Sequence, residues 1–158
     1  MPIETLPKYK IAYMRQVGPY GAPLMDLWKR FNKWVERRRL LNDKTIRFGL
    51  SLDNPMTTAP EKLRYDAAIV VDDKFQADLT LDPDIEVKTL EGGEYLMVPF
   101  EGTGKEIGQA FEKLFSEAVP KSGRSFDYRR EVLERYVGKK IGGSMADSFR
   151  CDLGIPVK

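Results

Sequence analysis

Residues 11–35 read IAYMRQVGPYGAPLMDLWKRFNKWV, and residues 95–119, later by 84 positions, read YLMVPFEGTGKEIGQAFEKLFSEAV. Laid side by side without a gap, Gly18 falls on Gly102, Leu27 on Phe111, Phe31 on Phe115 and Val35 on Val119. Further along, LRYDAAIVV at 63–71 is echoed at an offset of 86 by FRCDLGIPV at 149–157, which keeps the Arg-x-Asp pair and its apolar tail. Two matched blocks in the same order at nearly the same spacing point to duplication. Two copies suit a pseudo-symmetric pair rather than a solenoid, which needs three or more units.

Each copy opens with a strand. In 9–17 the odd positions are largely apolar, Tyr9, Ile11, Tyr13 and Val17, while Lys10 and Gln16 lie among the even ones, the period of a half-buried strand. A glycine-containing turn follows, at 18–21 and again at 102–104, and leads into a helical period. Leu24, Leu27, Trp28, Phe31 and Val35 form one apolar stripe, and Ile107, Phe111, Leu114, Phe115 and Ala118 the other. The first helix is expected to end by Asn42-Asp43-Lys44 and the second near Pro120, because the residue before a proline avoids helical geometry. Strands at about 45–52 and 63–72 close the first copy, and strands at about 131–137 and 148–157 the second. Strands at 85–90 and 94–100, joined at Gly92-Gly93, read as a hairpin. The expected fold is α+β: pseudo-twofold duplicated β-α-β-β units, with an antiparallel sheet and two main helices. One domain spans 1–158, with repeat one at about 8–72 and repeat two at about 92–158.

The 26 Lys and Arg nearly balance the 24 Asp and Glu, so no strong field points to nucleic acid or a membrane surface. The runs 37–39 and 139–140 read as solvated basic surface. With 158 residues the chain can bury a contiguous core, and a single cysteine, Cys151, excludes an internal disulfide framework. The N-terminus lacks a signal-peptide pattern and no apolar window reaches membrane-helix length, so the expected location is cytoplasmic. Histidine is absent, which excludes Ser-His or Cys-His nucleophile activation and most catalytic zinc sites. No metal and no cofactor is expected.

Glu134 and Tyr136 stand two apart on a strand, so one face carries a carboxylate beside a phenol. In an aromatic cleft that carboxylate would favour a hydrophobic cation; alternatively, Glu134 pairs with Arg129 or Arg130 and Tyr136 only packs. Tyr13, Trp28, Phe48, Phe100 and Phe111 are the candidate cleft aromatics. Arg64-x-Asp66 and Arg150-x-Asp152 read as structural ion pairs, and Cys151, with no histidine to lower its pKa, as a small buried filler. Gly102-Thr103-Gly104-Lys105 lacks the spacing of a phosphate-cradling loop.

Gly18-Pro19-Tyr20, Asp53-Asn54-Pro55, Tyr65-Asp66-Ala67-Ala68, Leu133-Glu134-Arg135-Tyr136 and the terminal Asp152-Leu153-Gly154-Ile155-Pro156-Val157-Lys158 together resemble the GyrI-like family. That small-molecule-binding fold is also the effector-binding domain of some AraC-type and multidrug-responsive regulators. The resemblance implies that Glu134 projects into a ligand pocket and faces cationic ligands, with Tyr136 beside it. It implies two further activities in the family. One is hydrolysis of cyclopropane-bearing toxins, where Glu134 would be the general base and Tyr136 would position the substrate. The other is inhibition of DNA gyrase through a surface. The sequence departs from the family pattern at 137–143, which replaces a short Asn-Asp-Pro-like turn. Regulators of the family carry a helix-turn-helix module, for which this sequence has no room, so no direct nucleic-acid binding is expected. The function expected is a stand-alone small-molecule-binding protein that senses or sequesters an amphipathic, cationic or aromatic ligand. Its cleft would lie between the two repeats, with Glu134, Tyr136, Tyr13, Trp28, Phe48, Phe100 and Phe111 as the binding residues.

Overall fold

The computed structural model describes residues 2–139 and 148–158; the departing segment at 137–143 lies partly outside them. Strands β1 (Ile3–Leu6) and β2 (Tyr9–Val17) precede helix α1 (Pro23–Arg37), and β3 (Ile46–Ser51), β4 (Arg64–Val70), β5 (Glu86–Leu90) and β6 (Gly93–Gly102) follow. Helix α2 (Gly104–Lys113) continues through a π-helical turn, Leu114–Ala118, into a last turn at Val119–Lys121. Strands β7 (Val132–Val137) and β8 (Phe149–Pro156) close the chain. The eight strands form an antiparallel sheet in the order β1-β6-β8-β7-β3-β4-β2-β5.

The expected hairpin at Gly92-Gly93 is corrected by this order, since β5 pairs with β2 while β6 pairs with β1 and β8. The two glycines do not reverse the chain. The register Ile3↔Leu96 continues as Ile11↔Lys88 across the break, so residues 3–13 and 86–96 form one long interrupted ladder. At the crossing, a Cβ on Gly92 would stand 2.4 Å from the Leu6 carbonyl oxygen and 2.5 Å from that of Pro7, and Gly92 itself has φ of +76°. Only glycine fits there. This crossing joins the two edges of the sheet and curls it.

Curling makes two cores. Inside the curl, Ile11, Tyr13, Phe48, Leu50, Met97 and Leu133 pack together, and the Tyr9 and Phe48 rings meet at 5.6 Å across it. On the outer face, Ala12, Met14, Tyr65, Ala67, Cys151 and Leu153 pack under the helices. Both faces are therefore dry, and α1 buries Leu24, Leu27, Trp28, Phe31, Trp34 and Val35. Helix α2 is held more loosely. Thr103 and Glu106 form a capping box at its start, yet its Gly104–Lys113 part buries no residue completely. It also runs one residue past the expected stop at Pro120, because the widened turn just before the proline places a Val119 N–H to Leu114 carbonyl bond where regular helix pitch would fail.

Candidate functional site

Strands β7 and β3 pair at the middle of the sheet, with Glu134 directly opposite Gly49. Helix α1 rests on β2 and β4 and helix α2 on β6, so this central pair lies between the helices. Glu134 and Tyr136 point to the helix face, as their spacing requires, and the Tyr136 hydroxyl donates to one Glu134 carboxylate oxygen at 2.7 Å. The other oxygen accepts from Tyr65 of β4 at 3.0 Å. The Tyr65 oxygen in turn accepts the Trp28 indole N–H at 3.1 Å. The Trp28 ring lies edge-on to Tyr136 at 5.5 Å, Tyr20 edge-on to Tyr65 at 6.0 Å, and Phe149 tilts against Tyr136 at 6.3 Å. A carboxylate thus sits in a ring of aromatics.

Gly49 makes this possible. A Cβ at position 49 would stand 2.0 Å from the Tyr65 hydroxyl and 2.9 Å from the Glu134 carboxylate, so the missing side chain is the space that the hydroxyl occupies. Burial pushes the Glu134 pKa up, and the hydroxyls of Tyr136 and Tyr65 only partly oppose that rise. Burial and the neighbouring Glu134 charge push both phenols well above their ordinary range. No described cationic side chain forms an ion pair with Glu134. Arg129 and Arg130 instead pair with Asp127, and Arg135 with Glu4 and Asp152. Beside Tyr136 in register, the fully buried Arg47 donates to the Asn32 side chain at 3.0 Å and to the Gly138 carbonyl at 3.3 Å.

Of the expected wall aromatics, Trp28 joins the cluster, and Phe100 and Phe111 pack against the same outer core. Tyr13 and Phe48 are not brought to it. Both point into the curl, Phe48 opposite Arg135 and Tyr13 donating to Glu86 at 2.9 Å. The alternation in β2 is real, but it marks the inner face, because Ala12 and Met14 on the other face are equally buried. Nor do Arg64 and Asp66 pair with each other. Arg64 holds Asp53, Asp66 holds Arg15 and Lys88, and Arg150 reaches Glu101. Cys151 is buried beside the cluster, and burial pushes its thiol pKa up. Tyr65 and Gly49 had no site role in the sequence reading. Tyr65 entered there as part of the Tyr65-Asp66-Ala67-Ala68 stretch that carries the family resemblance. Glu134 lines neither of two nearby concavities. One, of about 520 Å³, opens at the Arg135, Arg150 and Asp152 end of β6 to β8, and one of about 340 Å³ lies beneath α2. Phe100 lines both. Among the described residues no group of three or more metal-ligating side chains occurs, and no helix is long and apolar enough to cross a membrane.

Compared with known proteins, residues 1–158 match the model of the GyrI-like small molecule binding domain. The chain belongs to the GyrI-like family. Within it, the chain is 31% identical over 158 residues to a Bacillus subtilis SPbeta prophage protein, YosT, described as a candidate transcriptional regulator, covering 99% of this chain and 97% of that one. It is 29% identical over 164 residues to a DNA gyrase inhibitor of Edwardsiella piscicida, covering 99% and 96%. The GyrI-like fold is shared with the EcmrR C-terminal domain, with a TM-score of 0.74 at 13% identity over 99% of this chain and 96% of that one. It is also shared with SAV2435 bound to tetraphenylphosphonium, with a TM-score of 0.59 at 15% identity over 99% and 93%.

Proposed function

We propose that this GyrI-like domain binds a lipophilic, aromatic cation over the Glu134 carboxylate, between α1 and α2. The observation that carries this reading is a half-buried carboxylate that has two phenol donors, a ring of aromatic faces and no described cationic partner. Two hydroxyl bonds stabilise the charge incompletely, which is why its pKa rises. A cation arriving over the ring supplies the missing countercharge, and the faces of Trp28 and Tyr136 add about 0.5 to 2 kcal/mol of cation-π attraction. Tyr65 and Tyr136 hold the carboxylate in place before the ligand arrives, which lowers the ordering cost of binding. The tetraphenylphosphonium held by the fold neighbour SAV2435 is a ligand of this chemical kind.

The position of Glu134 also fits a duplicated chain. Offsets of 84 and 86 carry the pair Ile11↔Val70 onto Tyr95↔Pro156, and an offset of 84 carries Ile11↔Lys88 onto Tyr95↔Glu4. Offsets of 85 and 86 carry the pair Gly49↔Ala67 onto Glu134↔Leu153. On this reading a pseudo-twofold axis passes through the Gly49 and Glu134 pair. The two copies then differ at their shared centre, where one contributes a carboxylate and the other the space that lets Tyr65 reach it.

Calorimetric titration with tetraphenylphosphonium tests the reading. Glu134→Gln keeps size and one acceptor but removes the charge, and losing a desolvated charge partner should weaken binding about 30-fold or more. Binding of neutral triphenylphosphine oxide should change little. Equal cation affinity in the variant and the parent would refute the carboxylate's role.

A further inference from the structure

The two helices pack differently on their outer sides. At an offset of 84, Ala118 of the wide turn stands where α1 has Trp34. Trp34 is 1% exposed, donates to Asp82 at 2.6 Å and meets the Phe75 ring at 6.1 Å, filling the space beside α1 together with the segment that follows β4. Beside α2 the methyl of Ala118 leaves that space open. The result is the groove of about 340 Å³, floored by Val98, Phe100 and Leu153 and walled by Ala110, Leu114 and Ala118. The π-helical turn Leu114–Ala118 forms part of its wall. Turns of this kind widen a helix where close packing is given up, often at functional sites. Lys113 and Lys121 stand at the rim with Glu117 between them, and neither lysine forms an ion pair among the described residues. An apolar trough with a net positive rim matches an anion that carries a hydrocarbon tail.

We propose that the groove between α2 and strands β6 and β8, which adjoins the Glu134 cluster through Leu153 and Phe100, is a second small-molecule site that takes amphipathic carboxylates of fatty-acid type. The tail lies along Val98, Phe100 and Leu153, and the carboxylate meets Lys113 or Lys121. Burial of the tail makes affinity depend on its length, each added methylene tightening binding about fourfold until the groove is full. The exposed lysines contribute less, so Lys113→Gln with Lys121→Gln weakens binding by about three- to tenfold.

Titration with octanoate and decanoate, followed by calorimetry and by the methyl NMR signals of Ala110 and Ala118, tests the site. The expected result is saturable binding that is tighter for decanoate, with shifts at both alanine methyls. Ala118→Trp, which restores the side chain of α1, should abolish binding. If that variant does not fold, Ala110→Leu narrows the same groove and should weaken binding in proportion. Three results overturn the proposal: no decanoate binding by the parent protein, shifts elsewhere than at these methyls, or decanol binding as tightly as decanoate.

Discussion

Gly49→Ala is the smallest change that tests how the carboxylate is held. Alanine is ordinarily the better residue in a strand interior, by about 0.5 to 1 kcal/mol. Here its Cβ would lie 2.0 Å from the Tyr65 hydroxyl oxygen, 2.9 Å from Tyr65 Cζ and 2.9 Å from the Glu134 carboxylate. The hydroxyl must retreat by roughly 1.4 Å to reach ordinary contact, which breaks its bond to Glu134 and its bond from Trp28. A hydrogen bond to a charged group is worth about 1.5 to 3 kcal/mol and a neutral one about 1. With overpacking strain of about 1 to 3 kcal/mol, less what the strand gains from alanine, the expected loss of stability is about 3 to 6 kcal/mol. Urea unfolding measures it. Tyr65→Phe alone should cost about 1 to 3 kcal/mol, since Glu134 keeps its bond from Tyr136. The double variant should cost less than the sum of the two by at least about 1 kcal/mol, because deleting the hydroxyl also removes the closest clash. Additivity within about 0.5 kcal/mol would refute this account of Gly49.

Two further outcomes follow from the buried charges. Hydrogen bonds from Arg130 and Arg129 hold the Asp127 pKa down to about 2, so its contribution is present above the unfolded carboxyl's pKa and lost as pH falls toward 2. Asp127→Asn should flatten the acid limb of stability in urea unfolding between about pH 4 and 2, and an unchanged limb would contradict the pairing. Cys151 is 8% exposed and burial pushes its thiol pKa up, so it should react with a thiol reagent only at the rate of unfolding. Reaction at the rate of a free thiol would place it on the surface.

The helices were legible because their apolar stripes are long and strongly periodic. Glu134 and Tyr136 could be placed on one face because strand alternation fixes it. What alternation cannot give is which face that is when both are buried, and so Tyr13 and Phe48, read as cleft aromatics, lie inside the curl. Gly92 and Gly93 carry the local chemistry of a tight turn, but the residues they meet are Leu6 and Pro7, more than 80 positions away, and only the long-range ladder shows a crossing. Gly49 and Tyr65 escaped for the same reason. A glycine beside a tyrosine hydroxyl is a property of the β3, β4 and β7 registers together, which no local pattern encodes.

The most direct measurement is a titration of the Glu134 side-chain carboxyl carbon by NMR, with and without saturating tetraphenylphosphonium. In the free protein, burial should set its pKa above the usual glutamate range. Because a raised folded pKa means that the group binds its proton more readily than in the unfolded chain, ionising it costs stability as pH rises through that value. A cation over the carboxylate offsets this cost. The bound protein should therefore show the Glu134 pKa lowered by at least about one unit, and tetraphenylphosphonium affinity should rise about tenfold or more across the same pH range. A Glu134 pKa that stays the same on binding would place the cation elsewhere and contradict the central claim.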